Sequence, residues 1–185
     1  ALTARGLRLF PGGSGDAELT VFVLDHEMVN AFALPGGIVV LMRGLIDEAE
    51  SPDEVAAVYA HEVGHVVARD PSRIALRTAG SIGVLGLLLG DFAGGAIVLF
   101  LSNQLIQADY SQEAEANADT FAHNALLEAG IRPDALAELF HRLRDDHGEA
   151  PALVSHFMAH PTLGDRIEAA RRTTPEDGAY RSVLS

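Results

Sequence analysis

Two histidines, His61 and His65, stand four residues apart, with Glu62 directly after the first. They lie in an apolar run, Val55 to Ala68, with helical spacing. On a helix, positions four apart lie one above the other on one face, so both imidazoles can reach one ion. Glu62 can turn its carboxylate towards the ion's remaining coordination position. This H-E-x-x-H arrangement is the minimum for a zinc-activated water with a general base beside it. So short a motif also arises by chance, and the rest of the chain must supply what the chemistry still lacks.

A zinc ion held by two histidines this close needs a third protein ligand from elsewhere. The run from Ser111 to Asp119 offers one. Glu115 and Asp119 are four apart and share a helix face, so one carboxylate can bind the metal while the other hydrogen-bonds a ligand histidine and fixes its tautomer. Glu113, on a different face, is the alternative ligand. An acidic run of this kind is otherwise most often a solvated surface. Small residues at Ala114, Ala116 and Ala118 weigh against that, because they let this helix approach another closely. A second element is His160-Pro161, followed by Arg166. His160 just before a helix, with Arg166 inside it, could stabilise an oxyanion; the plain alternative is a cap and a surface ion pair. An imidazole that close could also take the open position on the metal and leave the domain latent.

The third element is Asn30-Ala31-Phe32-Ala33-Leu34-Pro35-Gly36-Gly37. It reads as a β-turn-β, and the strand that follows is expected to present an edge to an extended peptide. Asn30, Ile38, Val39, Val40 and Leu41 are the expected substrate-binding residues. His26, His123, His141, His147 and His156 have no spaced partner and are taken as structural or exposed.

The elements that must position these groups follow from pattern. Leu19 to Leu24, Asn30 to Leu34 and Ile38 to Met42 read as strands. Ser51-Pro52-Asp53-Glu54 opens the His61 helix with a cap, a first-turn proline and a capping box, and Asp70-Pro71 ends or bends it. Asp109 to Ala129, closed by Gly130, Pro133 to about His147, and Pro161 to Arg172 read as further helices. Thr78 to Ala108 carries a single charge, Asp91, and six glycines. Split at Gly90-Asp91, each half is shorter than the ~20 residues needed to cross a bilayer. The stretch is read as two apolar helical pieces that pack in the core or touch a membrane surface. Strands first and helices afterwards give an α+β class: one domain over 1–185, with a small antiparallel sheet in 1–50 and mainly helix in 51–185.

Composition narrows the chemistry. The chain has 185 residues, enough for one sizeable core. Its net charge of −13 argues against nucleic acid and against a basic membrane-binding face. No cysteine is present, so any metal must be held by His, Asp or Glu. The sequence opens on Ala1 without an initiator Met, as expected of a processed or shortened form.

Together the elements resemble the M48 zinc metallopeptidases of the Ste24 and HtpX type. N-A-F-x-x-P-G-G, the capped H-E-x-x-H helix, S-x-x-x-E-x-x-A-D and H-P-x-x-x-x-R occur in that order between Asn30 and Arg166. Gln112 departs from the arginine many relatives carry after the serine. The resemblance implies a gluzincin fold and a zinc metalloendopeptidase acting on extended or misfolded protein. It also implies one Zn2+ held by His61, His65 and Glu115, Glu62 as base and acid, Asp119 behind a ligand, and His160 and Arg166 lining the site. It points to the soluble or periplasmic branch, hence to a bacterial cell envelope, with a cytoplasmic location also compatible. The competing readings are a non-catalytic, chaperone-like zinc module and a zinc aminopeptidase.

Overall fold

A computed structural model of the chain describes residues 2–4, 19–89, 110–147, 180 and 182. Four short strands form one sheet: β1 (Leu2–Ala4), β2 (Thr20–Leu24), β3 (Ala31–Leu34) and β4 (Ile38–Met42), in the order β1-β2-β4-β3. Among the described residues five helices follow: α1 (Arg43–Glu48), α2 (Pro52–Ala68), α3 (Asp70–Leu89), α4 (Gln112–Ala129) and α5 (Ala135–His147). The α+β class expected from the pattern is the one observed.

The sheet is mixed rather than antiparallel throughout. β3 and β4 form the expected hairpin, turning through Gly36 and Gly37 at φ 89° and 80°, where side chains rarely follow. β2, however, runs parallel to β4, from Thr20 beside Ile38 to Leu24 beside Met42. The cause is a short crossing: after Leu24 the chain passes the end of β4 before entering β3, so the hairpin returns β4 between them. Gly44 N–H donates to His26 O at 2.9 Å, and Met28 N–H donates to His26 Nδ1 at 3.0 Å. A Cβ at Gly44 would run into the backbone carbonyl of Glu27, so the crossing needs glycine there.

This topology corrects the expected substrate edge. β4 is hydrogen-bonded on both sides, so Ile38, Val39, Val40 and Leu41 cannot accept an added strand. Val39 and Leu41 face the main core, while Val40 packs with Phe32 and Met42 on the opposite face. Asn30 is buried and its carbonyl accepts from Met42 N–H at 3.0 Å, which continues the sheet. Among the described residues the strands that pair on one side only are the two outer ones, β1 and β3.

Helix α2 starts as its sequence predicts. Ser51 Oγ accepts from Glu54 N–H at 3.3 Å, and Pro52 occupies the first turn. The return half of the capping box is displaced by one residue: Glu54 Oε2 accepts from Glu50 N–H at 2.8 Å. Arg142 of α5 holds the same carboxylate at 2.8 and 2.7 Å, tying the two helices together. From Ala57 to His65 every residue of α2 is buried. The inner face of the sheet, α4 and α5 surround it, and one core runs through Val39, Leu41, Val58, Val63, Leu126, Leu139 and Phe140. A helix enclosed on all sides reads as apolar throughout, as Val55 to Ala68 does.

Arg69, in the left-handed conformation at φ 60°, ends α2. Helix α3 then begins at Asp70, eight residues before the apolar piece expected from Thr78, and stops at Leu89, just before Gly90-Asp91. The remainder of the apolar stretch and the helix expected over 161–172 lie outside the described residues. Among those described, no helix is long and apolar enough to cross a membrane. Gly130, at φ 74°, closes α4.

Candidate active site

The crossing of α2 and α4 builds the site. At Gly64 the two helices touch backbone to backbone: a Cβ there would lie 2.8 Å from Ala118 Cα and 3.0 Å from Ala118 O. Ala118, Ala122 and Ala125 are the small residues buried along α4, whereas Ala116 is exposed. So close an approach puts Glu115 and Asp119, three before and one after Ala118, against the histidines flanking Gly64. Gly64→Ala is therefore expected to force the helices apart and destabilise the fold by about 1–3 kcal/mol, the usual cost of overpacking. Thermal unfolding of the variant checks this; an unchanged midpoint would show that the contact has slack.

Three donor groups converge at the crossing. His61 Nε2 and His65 Nε2 are 3.1 Å apart. Glu115 Oε2 lies 3.5 Å from the first and Glu115 Oε1 3.3 Å from the second. All three side chains are buried. The far side of each ring is held by a carboxylate. His61 Nδ1–H donates to Asp119 Oδ1 at 2.9 Å, and His65 Nδ1–H donates to Asp70 Oδ2 at 3.1 Å. With the protons on Nδ1, both Nε2 lone pairs point inward at each other and at a carboxylate. A cation between them would make that arrangement favourable. Separations of 3.1 to 3.5 Å suit donors sharing one tetrahedral ion with bonds of about 2.0–2.2 Å.

Glu62 supplies a second sign that a charged group belongs here. It is fully buried, and neither carboxylate oxygen has a hydrogen-bond partner among the described residues. A buried carboxylate without a partner is costly and is characteristic of sites that do chemistry. Glu62, Glu115, Asp70 and Asp119 together surround two histidines, and an ion with two positive charges offsets that accumulation. The residues present therefore fit a divalent metal with borderline-soft preference.

Two residues of the site were not anticipated. Asp70 reads in sequence as a helix stop before proline; in the structure it is the partner of His65 and is itself braced by Arg73 at 3.3 Å. The available signal was its position, one helical turn and one residue beyond His65, where a left-handed Arg69 swings it back. Tyr110 stacks on His65 with ring centroids 3.9 Å apart and planes 12° from parallel. Burial, and then the charges of Glu62, Asp70 and Glu115, push its phenol well above the usual range, so it stays protonated. Nothing in the local sequence marks Tyr110.

Glu113, the alternative ligand, is exposed on another face of α4 and lines a cavity of about 230 Å³ together with Asp70, Arg73, Arg77 and Tyr110. His160 and Arg166 lie outside the described residues. Thus His61, Glu62, His65, Glu115 and Asp119 are gathered at one crossing, while Asn30 and Ile38 to Leu41 belong to the sheet.

Comparison with known proteins agrees with this architecture. Residues 11–174 match peptidase family M48. The protease HtpX of a Psychrobacter species is 33% identical over 196 residues, covering 84% of this chain and 64% of that protein. The mitochondrial metalloendopeptidase OMA1 of Arabidopsis thaliana is 32% identical over 166 residues, covering 88% of this chain and 34% of the relative. The metalloprotease LoiP of Escherichia coli is 30% identical over 161 residues, covering 81% of this chain and 60% of the relative. The chain spans between a third and under two thirds of the length of these relatives. Because the match runs through both helices that cross at Gly64, the chain belongs to peptidase family M48, the metalloprotease family.

Proposed function

We propose that this chain is a zinc-dependent endopeptidase that hydrolyses peptide bonds in extended or misfolded proteins. His61, His65 and Glu115 hold one zinc ion, and Glu62 is the general base. The observation that carries the reading is the convergence of His61 Nε2, His65 Nε2 and the Glu115 carboxylate beside a buried Glu62 with no hydrogen-bond partner among the described residues. Bound zinc would acidify water to a pKa of about 7 and offset charge on the carbonyl oxygen.

The chain's own residues do the rest. Asp119 and Asp70 hold the two imidazoles in the tautomer that turns the Nε2 lone pair towards the ion. Glu62, screened from solvent, accepts the proton of the attacking water and returns it to the departing amine nitrogen. His160 is proposed as a further group, at the oxyanion or at the open coordination position. An extended substrate is proposed to add along the outer side of β3, since both sides of β4 are taken. The cell envelope is the proposed location, by resemblance to the soluble or periplasmic branch of the family.

The test is cleavage of a peptide blocked at both ends, compared with a dipeptide carrying a free amine. The blocked internal peptide is expected to be cut and the dipeptide spared. Phenanthroline should abolish cleavage and added zinc should restore it. Preference for the free amine would make this an aminopeptidase, and cleavage indifferent to chelation would remove the metal from the account.

A further inference from the structure

We propose that Tyr110 is a positioning residue for the metal, clamping the plane of His65 and fixing the height of Glu115 through one anchor. The proposal rests on the zinc reading above. Asp70 grips His65 at one ring nitrogen, which selects the tautomer but does not by itself set the plane of the ring. Tyr110 lies flat on the imidazole at 3.9 Å and 12° and is itself buried, so tilting would drive one ring into the other. His61 meets the same ring edge-on, with centroids 4.8 Å apart and planes at 86°.

The same contact holds α4. Ser111, the next residue, caps that helix by accepting from Ala114 N–H at 3.2 Å. Glu115 follows one turn later on the same rigid element. An anchor at Tyr110 therefore sets how far α4 can slide along α2, and with it where the Glu115 carboxylate stands relative to His65 Nε2. Two further consequences favour the loaded state. An imidazole bound to a divalent ion carries part of its charge, and the π face of a neutral phenol attracts that charge more than it attracts the metal-free ring. Tyr110 lines a cavity together with Asp70 and Arg73, so a smaller side chain there would let water reach the His65–Asp70 pair.

The experiment compares zinc dissociation constants of wild type, Tyr110→Leu and Tyr110→Phe, measured by competition with a chromogenic chelator. Tyr110→Leu is expected to bind zinc about 10–100-fold more weakly, as for loss of other groups that orient a ligand. Tyr110→Phe keeps the ring and should stay close to wild type. A second readout needs no Leu variant. The chain has three tyrosines and no tryptophan, so adding zinc to metal-free wild type should perturb tyrosine absorption, and Tyr110→Phe should lose most of that signal. Wild-type affinity in a folded Tyr110→Leu, or zinc uptake by wild type with unchanged tyrosine absorption, would overturn the proposal while leaving the zinc site standing. A wild-type chain that binds no zinc would overturn both.

Discussion

Glu115→Ala is expected to yield a chain without zinc and without proteolytic activity. Of the three converging donors, Glu115 alone comes from α4, and it brings the only negative charge among them. Removing it leaves two neutral imidazoles on one helix, too few donors for a site that must keep a position open. Loss of a group behind a ligand costs about 10–100-fold in metal affinity, and loss of a ligand should cost more. Because Glu115 is fully buried, alanine also leaves a cavity, so Glu115→Gln is the necessary companion. It keeps the volume, removes the charge, and should fold normally while still failing to retain zinc through dialysis. Metal analysis of both purified variants decides the matter, and zinc at the wild-type level in either would exclude Glu115 as a ligand.

Glu62→Gln should separate binding from chemistry. The carboxylate is not needed to hold the ion, so zinc content should match wild type. Without a base to take the proton, kcat should fall by about 10²–10⁴-fold. KM on a blocked peptide should change little, the pattern of an interaction made mainly in the transition state. A second consequence concerns stability. Glu62 is buried with no hydrogen-bond partner among the described residues, and a neutral amide of the same shape removes an unpaired buried charge. The metal-free variant is therefore expected to melt at or above the wild-type temperature. Thermal unfolding together with steady-state kinetics checks both halves. A variant that lost activity because it unfolded would show the opposite shift.

Much of this site is legible in sequence because its parts are local. The cap at Ser51, the i,i+4 spacing of His61 and His65, and that of Glu115 and Asp119 each follow from helix geometry within a few residues. Spacing alone left Glu113 open, since which face of α4 meets α2 is a tertiary fact. The contact of Gly64 with Ala118 turns Glu115 inward and leaves Glu113 in solvent.

What was not legible depends on distant pairing. The strand at Ile38 to Leu41 has the composition of a strand, but whether a strand lies at an edge depends on its neighbours, and β2 docks beside it from across the crossing at His26. Asp70 shows the same limit in another form. Its role as a helix punctuator before Pro71 is real, yet the turn at Arg69 also returns it to His65. One residue serves both purposes, and local pattern exposes only the first. Tyr110 sits at the end of a long apolar stretch, where a lone aromatic has no periodic partner to mark it.

A metal held where α2 crosses α4 is proposed to drive peptide hydrolysis with Glu62 as its base. Zinc per chain and casein cleavage, measured on the same preparations of wild type and Glu62→Gln, test it directly. The prediction is equal zinc in both, cleavage by wild type, and none by the variant. Casein cleavage by Glu62→Gln at the wild-type rate, with zinc intact, would contradict it.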